Sequence, residues 1–155
     1  MRVLFSDPFV ESGQFDTPGE KVELPQLLRE SDFVCIHAPL LPQTRHMIGA
    51  DAFAQMKDTA VLINCSRGPI VDTDALVKAL DDQSIAGCAL DVFEVEPLPE
   101  SHRLWGMENV ILTPHIAVAE AEDVGERTVS LFLDNATRLS SGEPLRNVVD
   151  KTMWF

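Results

Sequence analysis

Short apolar runs rich in β-branched residues alternate along this chain with longer segments of helical periodicity. This alternation is typical of βαβ units, in which a helix crosses over between two parallel strands. The pattern therefore predicts an α/β fold built on a parallel sheet. Strands are predicted at Arg2–Ser6, Phe33–His37, Ala60–Asn64, Ile85–Leu90 and Val110–Leu112.

The segments between and after these runs predict helices and one long loop. Glu122–Ser140 has apolar residues at three- and four-residue steps, which is typical of an amphipathic helix. Segment 94–109 contains two prolines among polar residues, so we expect a loop there. Asp72 or Thr73 can cap one of the shorter helices through a side-chain oxygen. Those shorter helices are predicted at Leu24–Glu30, Ala50–Met56 and Thr73–Leu80.

Charge and composition exclude several classes of partner. The net charge of -13 repels nucleic-acid phosphates and anionic membranes, so we expect neither partner. The three cysteines lie singly in apolar runs, which predicts buried, reduced core residues and no metal site. The amino terminus resembles neither a signal peptide nor a membrane span, and a cytoplasmic location is the expectation. A length of 155 residues is ordinary for one domain.

Three groups of polar residues follow successive predicted strands, at the edge where an open α/β sheet presents side chains to a ligand. Arg67 follows the third strand and can bind a carboxylate through paired N–H donors, although it can also lie on a solvated turn. Asp91, Glu94 and Glu96 follow the fourth strand, either as ligand-orienting acids or as a solvated acidic loop. His115 follows the last strand and is either catalytic or structural.

The order of these motifs resembles one enzyme family. SRGPIVD, LDVFEVEP and TPHI, preceded by CIHAPLLPQTRHMIG, are similar to the D-isomer-specific 2-hydroxyacid dehydrogenases, which include phosphoglycerate, glycerate, lactate and formate dehydrogenases. The resemblance covers nearly the whole chain. It implies a Rossmann-like doubly wound parallel sheet, the cofactor NAD, and a small 2-hydroxy or 2-oxo acid as substrate. It also implies a homodimer, since the family's members usually dimerise through this domain.

The same resemblance assigns catalytic roles to three residues. Arg67 matches the arginine that binds the substrate carboxylate and polarises the carbonyl. His115 matches the proton donor and acceptor, and Glu96 matches the acid that hydrogen-bonds the other imidazole nitrogen. A carboxylate beside an imidazole favours its charged form, which can then give a proton to the carbonyl oxygen.

Cofactor contacts are implied in the same way. Asp7 matches the acid that accepts hydrogen bonds from the adenosine ribose, and its charge favours NAD over NADP. Without the resemblance, Asp7 is a turn residue ahead of Pro8. The remaining implied cofactor contacts are Ala38, Pro39, Thr44, Cys65, Ser66, Arg67 and Asp91.

The chain departs from the family pattern in two places. No segment matches the glycine-rich G-x-G-x-x-G loop, which the family carries just before the strand that ends at Asp7. We therefore expect one partial NAD-binding domain over residues 1–155, truncated at its amino terminus, without the first strand and most of the substrate domain. Helix 122–140 and tail 141–155 would lead toward that domain. After His115, IAVAEAED replaces the small residues and threonine common in the family.

The missing first strand has a structural consequence. In a doubly wound sheet that strand is central, so its loss would leave strand edges unpaired. We expect Arg2–Ser6 and Phe33–His37 to lose their hydrogen-bonded connection to Ala60–Asn64 and the rest of the sheet. The chain alone would then be weakly folded, rearranged, or completed by a partner segment.

Two alternatives to a dehydrogenase remain at this stage. A non-catalytic module that senses a dinucleotide or binds a protein would use the same fold, as in the related C-terminal-binding corepressors, which keep the same catalytic residues. A hydrolase using Ser66 and His115 is the weaker alternative, because no G-x-S-x-G turn surrounds Ser66.

Overall fold

The chain forms two compact units, residues 1–115 and residues 116–155. The structure is a computed structural model, and it describes residues 1–11, 13, 19–117 and 123–151. All strands found in the described residues lie in the first unit, as do the residues of the candidate site. The second contains a single long helix within its described residues.

The strands of the first unit form two parallel sheets. A two-stranded sheet pairs the first two strands, and a four-stranded sheet joins the other four in the order in which they occur along the chain. A parallel sheet with helical crossovers confirms the predicted α/β class. The strands are β1 (Leu4–Phe5), β2 (Glu20–Lys21), β3 (Phe33–Ile36), β4 (Val61–Asn64), β5 (Gly87–Leu90) and β6 (Val110–Leu112).

The expected separation of β3 from β4 is wrong. Phe33 through Ile36 pair in register with Val61 through Asn64. The break lies instead between the β1–β2 sheet and β3. The physical reason is β2: its two charged residues give no hydrophobic periodicity, so the sequence does not predict this strand, and β3 takes its place beside β1 in the expected order.

The helices agree with the predicted ones within a few residues. The amphipathic helix spans Val124–Ser141, and Glu122, its predicted first residue, lies outside the described residues. Asp72 caps the third helix, where its side chain accepts a hydrogen bond from the Ala75 N–H at 3.0 Å. The helix predicted to reach Met56 ends at Phe53. The helices are α1 (Leu24–Glu30), α2 (Ala50–Phe53), α3 (Thr73–Asp81) and α4 (Val124–Ser141), with single 3-10 turns at Gly68–Ile70 and Arg103–Gly106.

The core of the first unit lies between one face of the four-stranded sheet and the short helices. Val34 and Leu62 are buried on that face, whereas Phe33, one residue along, is 64% exposed. The core from the helices includes Leu28, Phe53, Leu76 and Leu80. Side chains along β3 and β4 thus alternate between a buried face and a more exposed one.

The cysteines only partly follow the prediction of a buried position. All three are free, but Cys35 and Cys65 are exposed and only Cys88 is buried. Cys35 lies on the sheet face opposite the core, and Cys65 lies just past the end of β4. Burial raises the pKa of the Cys88 thiol to about 12. In the described part of the chain, no helix is long and apolar enough to cross a membrane.

Candidate active site

The carboxyl ends of the four strands β3 to β6 lie along one edge of the sheet, because all four run parallel. Each strand is followed by a segment that the sequence analysis singled out: 38–39, 65–67, 91–96 and 113–115. The parallel order of the strands therefore gathers the predicted residues of all four segments at one edge.

Glu96 and His115 form a direct pair. His115 Nδ1 lies 2.8 Å from Glu96 Oε2, and the Phe93 N–H donates to Glu96 Oε1 at 2.9 Å. The hydrogen bond from His115, with a smaller contribution from Phe93, lowers the pKa of Glu96 below its ordinary value. An ionised carboxylate can only accept, so Nδ1 carries the ring proton of the pair. Nε2 is then the nitrogen that can exchange a proton with a ligand.

The backbone of His115 is held in an uncommon conformation. Its φ is 55°, in the left-handed region that non-glycine residues rarely adopt. Thr113 supports the turn: its carbonyl accepts from the His115 N–H at 3.1 Å, and its hydroxyl donates to Asp91 Oδ1 at 2.5 Å. Asp91 is only 3% exposed. The ends of β5 and β6 are thus joined beside the pair.

Arg67 lies in a turn that is anchored from below by Asn64. The Asn64 amide donates to the Arg67 carbonyl at 3.1 Å and accepts from the Ser66 N–H at 3.0 Å. Asn64 is 1% exposed, so this amide is a buried anchor that the sequence analysis did not assign. The sequence feature that indicates this anchor is a polar side chain at the end of an apolar strand. The exposed Arg67 guanidinium donates to the Ser66 carbonyl at 2.7 Å and makes no hydrogen bond to Glu96 or His115.

The turn of Arg67 and the loop of Glu96 meet at Gly68. A Cβ placed on Gly68 would lie 1.9 Å from the Phe93 carbonyl carbon and 2.5 Å from the Glu94 nitrogen. Only a residue without a side chain allows the two backbones to approach so closely. Arg67 is therefore adjacent to the loop of Glu96 through its backbone neighbour, although its side chain does not touch the pair.

A second His–Glu pair lies beside the first. His46 Nε2 lies 2.6 Å from Glu94 Oε1, and the Thr73 N–H donates to Glu94 Oε2 at 3.0 Å. Burial acts to raise the pKa of Glu94, but the hydrogen bonds from His46 and Thr73 outweigh it and lower that pKa below its ordinary value. His46 was not assigned from the sequence, and its signal was its place inside the motif CIHAPLLPQTRHMIG.

The predicted cofactor residues after β3 and β4 form a hydrogen-bonded cluster. The Ser66 hydroxyl donates to the Ala38 carbonyl at 2.6 Å. The Thr44 hydroxyl donates to the Pro39 carbonyl at 2.7 Å and accepts from the Leu41 N–H at 2.8 Å. Both hydroxyls thus fix the loop after β3, and Cys65 is exposed beside it.

Asp7 lies apart from that cluster, two residues past the end of β1. Its Oδ1 accepts from the Phe9 N–H at 2.7 Å, which is the arrangement of a turn-forming aspartate. Arg2, on the same segment, is paired with Glu20 at 2.7 Å and Glu30 at 2.6 Å. Asp7 is therefore a turn residue in the structure, and one of its two carboxylate oxygens accepts the hydrogen bond of that turn.

A cavity of about 150 Å³ lies beneath the loop that carries Glu94. Most of its lining is apolar, and neither Arg67, Glu96 nor His115 contributes to it. We therefore place the candidate ligand crevice at the sheet edge rather than in this cavity. Among the described residues, no cluster of histidine, cysteine and acidic side chains is arranged to hold a metal ion. The lining includes Leu76, Leu90, Val92, Leu98 and Leu104.

The comparison with known proteins agrees with this arrangement of strands and motifs. Residues 1–117 match the family described as D-isomer specific 2-hydroxyacid dehydrogenase, NAD binding domain. The chain belongs to this family. Its relatives include the glyoxylate reductase of Korarchaeum cryptofilum, which is 43% identical over 152 residues covering 97% of this chain and 46% of that protein.

Solved structures of D-2-hydroxyacid dehydrogenases share the fold. The NADPH-dependent glyoxylate/hydroxypyruvate reductase of Sinorhizobium meliloti, solved with NADP and sulfate, superposes with a TM-score of 0.85 at 32% identity, over 99% of this chain and 49% of that one. A D-isomer specific 2-hydroxyacid dehydrogenase from Lactobacillus delbrueckii ssp. bulgaricus in its NAD-complexed form gives 0.82 at 33% identity, over 96% of this chain and 48% of that one. The chain thus spans about half of the length of the dehydrogenases that it matches.

Proposed function

We propose that this D-2-hydroxyacid dehydrogenase domain takes part in hydride transfer between NAD(H) and a small 2-hydroxy or 2-oxo acid, as the NAD-binding part of a longer enzyme. The observation that carries the proposal is the 2.8 Å bond between His115 and Glu96. It leaves one imidazole nitrogen for proton exchange, which is what reduction of a carbonyl to a hydroxyl requires.

The proposed reaction divides the work among three side chains. The Arg67 guanidinium binds the substrate carboxylate through its paired N–H donors. His115 Nε2 gives a proton to the carbonyl oxygen in reduction and takes one from the hydroxyl in oxidation. Glu96 keeps the ring oriented and balances its positive charge. When bound, the nicotinamide supplies or accepts the hydride.

We propose NAD rather than NADP as the cofactor. The donor set suits a dinucleotide: Asp7 Oδ2 can accept from ribose hydroxyls while Oδ1 holds its turn, and the backbone at 38–39 and 65–67 lines the sheet edge. The Asp7 charge disfavours a 2′-phosphate, and Arg2, a cation of the same segment, is engaged by two glutamates. No residue is assigned to the pyrophosphate, because the chain has no G-x-G-x-x-G segment.

Turnover in a chimera tests the catalytic proposal. The chain would replace the matched 152-residue stretch of the Korarchaeum cryptofilum glyoxylate reductase, and reduction of glyoxylate would be followed with NADH and with NADPH. We expect turnover that prefers NADH and falls roughly 100- to 10,000-fold in His115→Gln. His102→Gln is the matched control, because this histidine caps a 3-10 turn outside the pair. A folded chimera without turnover with either cofactor would reject the proposal.

We also propose a homodimer in a reducing compartment such as the cytoplasm. Helix α4 leaves Phe132 71% and Leu139 72% exposed, which favours self-association through apolar surface. The free state of all three cysteines favours a reducing compartment. Sedimentation equilibrium tests the dimer, and a monomer at all protein concentrations would contradict it.

A further inference from the structure

We infer that Glu94, anchored by His46, is a positioning residue that sets the Glu96–His115 pair relative to Arg67. This inference rests on the proposed function of that pair. It assigns to the second His–Glu pair a part in the reaction without contact with the substrate.

The Glu94 carboxylate connects its loop to two separate segments by hydrogen bonds. One carboxylate oxygen accepts from His46 at 2.6 Å, and the other accepts from the Thr73 N–H at 3.0 Å, in the first turn of α3. Two residues later the same loop carries Glu96. Because only one residue separates the two glutamates, a displacement of the Glu94 backbone would also displace the Glu96 carboxylate that bonds His115.

His46 connects that loop to the turn of Arg67. Its backbone N–H donates to the Pro69 carbonyl at 2.9 Å, and the next bond along, from the Ile48 N–H to the Ile70 carbonyl, is 3.1 Å. Pro69 follows Arg67 by two residues. His46 thus bonds the turn of Arg67 through its backbone N–H and the loop of Glu94 through its ring. Its φ of 53° is uncommon for a side-chain-bearing residue, which indicates that its surroundings hold it in place.

Apolar packing holds the loop on either side of Glu94, through the buried side chains of Val92 and Leu98. Glu94 itself contributes to the lining of the cavity of about 150 Å³, so its side chain is not fully enclosed by packed atoms. Gly68 permits close approach on one side, but a missing side chain supplies no attraction. The two hydrogen bonds of the Glu94 carboxylate, to His46 and to Thr73, are therefore the specific polar attractions at this point of the loop, and they add to the packing of its buried neighbours.

The tautomer of His115 reports this positioning without any need for turnover. Long-range proton–nitrogen spectra of the histidine-labelled chain at neutral pH distinguish Nδ1–H from Nε2–H rings, and single His→Gln variants assign the four histidines. In the wild-type chain we expect His115 to carry its proton on Nδ1, because Glu96 accepts there. In Glu94→Ala we expect Nδ1–H to change from the major to the minor form at His115, with thermal unfolding used to verify the fold.

Two further variants make the test specific. Glu100→Gln, on the same segment and exposed, is expected to leave the His115 spectrum unchanged. His46→Gln keeps the Thr73 bond to Glu94 and is expected to shift the tautomer in the same direction by a smaller amount. If Glu94→Ala does not fold, His46→Gln decides the matter. A wild-type tautomer at His115 in the folded variants would overturn the inference.

The chimera separates this inference from the proposed function. There we expect Glu94→Ala to lower kcat roughly 10- to 100-fold with little change in KM for glyoxylate, because the ligand contacts remain while the proton donor is displaced. If the chimera has no turnover but Glu94→Ala loses the Nδ1–H form of His115, the proposed function is rejected and the positioning role is kept. If the chimera turns over but Glu94→Ala keeps the Nδ1–H form, the positioning role is rejected and the proposed function is kept.

Discussion

His115 shows how a single residue is prepared by its neighbours. A left-handed backbone at a non-glycine residue costs of the order of 1–3 kcal/mol and persists only when surrounding contacts determine it. Those contacts are the Glu96 bond at the ring, the Thr113 carbonyl at the backbone and the buried Asp91 behind Thr113. We regard this convergence as the reason that the ring presents a defined nitrogen to a ligand.

Acid should remove the stability that Glu96 contributes. Its pKa is lowered in the folded chain, so the contribution is complete above the unfolded value of 4.5 and is lost as the pH falls through the lower folded value. We therefore expect the wild-type chain to exceed Glu96→Gln in free energy of unfolding at neutral pH, with the difference shrinking on acidification. Urea unfolding in steps of pH measures it. A constant difference at every pH, or an equal effect of Glu100→Gln, would contradict this account.

Asn64 is expected to be more important for stability than its single side chain suggests. Asn64→Ala leaves the Ser66 N–H and the Arg67 carbonyl without their buried partner, which costs about 1–3 kcal/mol. Urea unfolding measures the loss. Asn109→Ala, which removes one bond to the Ala86 carbonyl at an exposed position, is the control and should cost less. Equal losses in the two variants would mean that the buried anchor has no special role.

At the scale of the elements, the site depends on contact between two loops rather than on either loop alone. The 3-10 turn that begins at Gly68 and the loop after β5 touch through backbone atoms. The turn is anchored to β4 by Asn64, and the loop is anchored to α3 through Glu94. The distance between the Arg67 and Glu96 sides of the site is therefore a property of the crossovers that place these elements together.

Gly68→Ala tests that contact. The added methyl group would meet the Phe93 carbonyl carbon at 1.9 Å, so the loop must move, at a cost of about 1–3 kcal/mol. We expect a lower midpoint of thermal unfolding and shifted amide resonances at Phe93 and Glu94. Gly106→Ala is the matched control, because a Cβ there meets nothing within 4 Å. Unshifted resonances in Gly68→Ala would show that the close approach is not required.

The elements that the sequence predicted best are those with a strong hydrophobic period. Helix α4, the cap of α3 at Asp72 and the strands of the four-stranded sheet were found within a few residues. β2 was missed because two charged residues in an extended conformation carry no periodic signal, and this single omission misplaced the break in the sheet. The 3-10 turn at Arg103–Gly106 lies inside the predicted loop 94–109, since a turn of that length has little sequence pattern of its own.

At the scale of the whole first unit, stability is expected to be uneven. The β1–β2 sheet has two residues in each strand and no hydrogen bond to the four-stranded sheet among the described residues. A two-stranded pair of this size is marginal in water, whereas β4 and β5 lie at the centre of the larger sheet.

Hydrogen exchange measures this difference. We expect the amides of Glu20 and Val22, which bond to β1 and its preceding residue, to exchange much faster than those of Ala86 and Cys88 in the larger sheet. The physical reason is that local opening of the small sheet exposes little apolar surface. Equal, strong protection at all four amides would contradict the prediction and indicate one cooperative unit.

The sequence by itself determined the α/β class, the family and the order of the Arg67, Glu96 and His115 motifs, because periodicity and motif spacing are written in consecutive residues. Only the tertiary structure decided that Gly68 lies against the Phe93 backbone and that His46 reaches Glu94, and it supplied the atoms and the distance of the Glu96–His115 bond that the family resemblance implied. These three contacts join residues between 19 and 48 positions apart. Such pairings depend on how the crossovers fold each strand end beside the next, and no local pattern records that geometry.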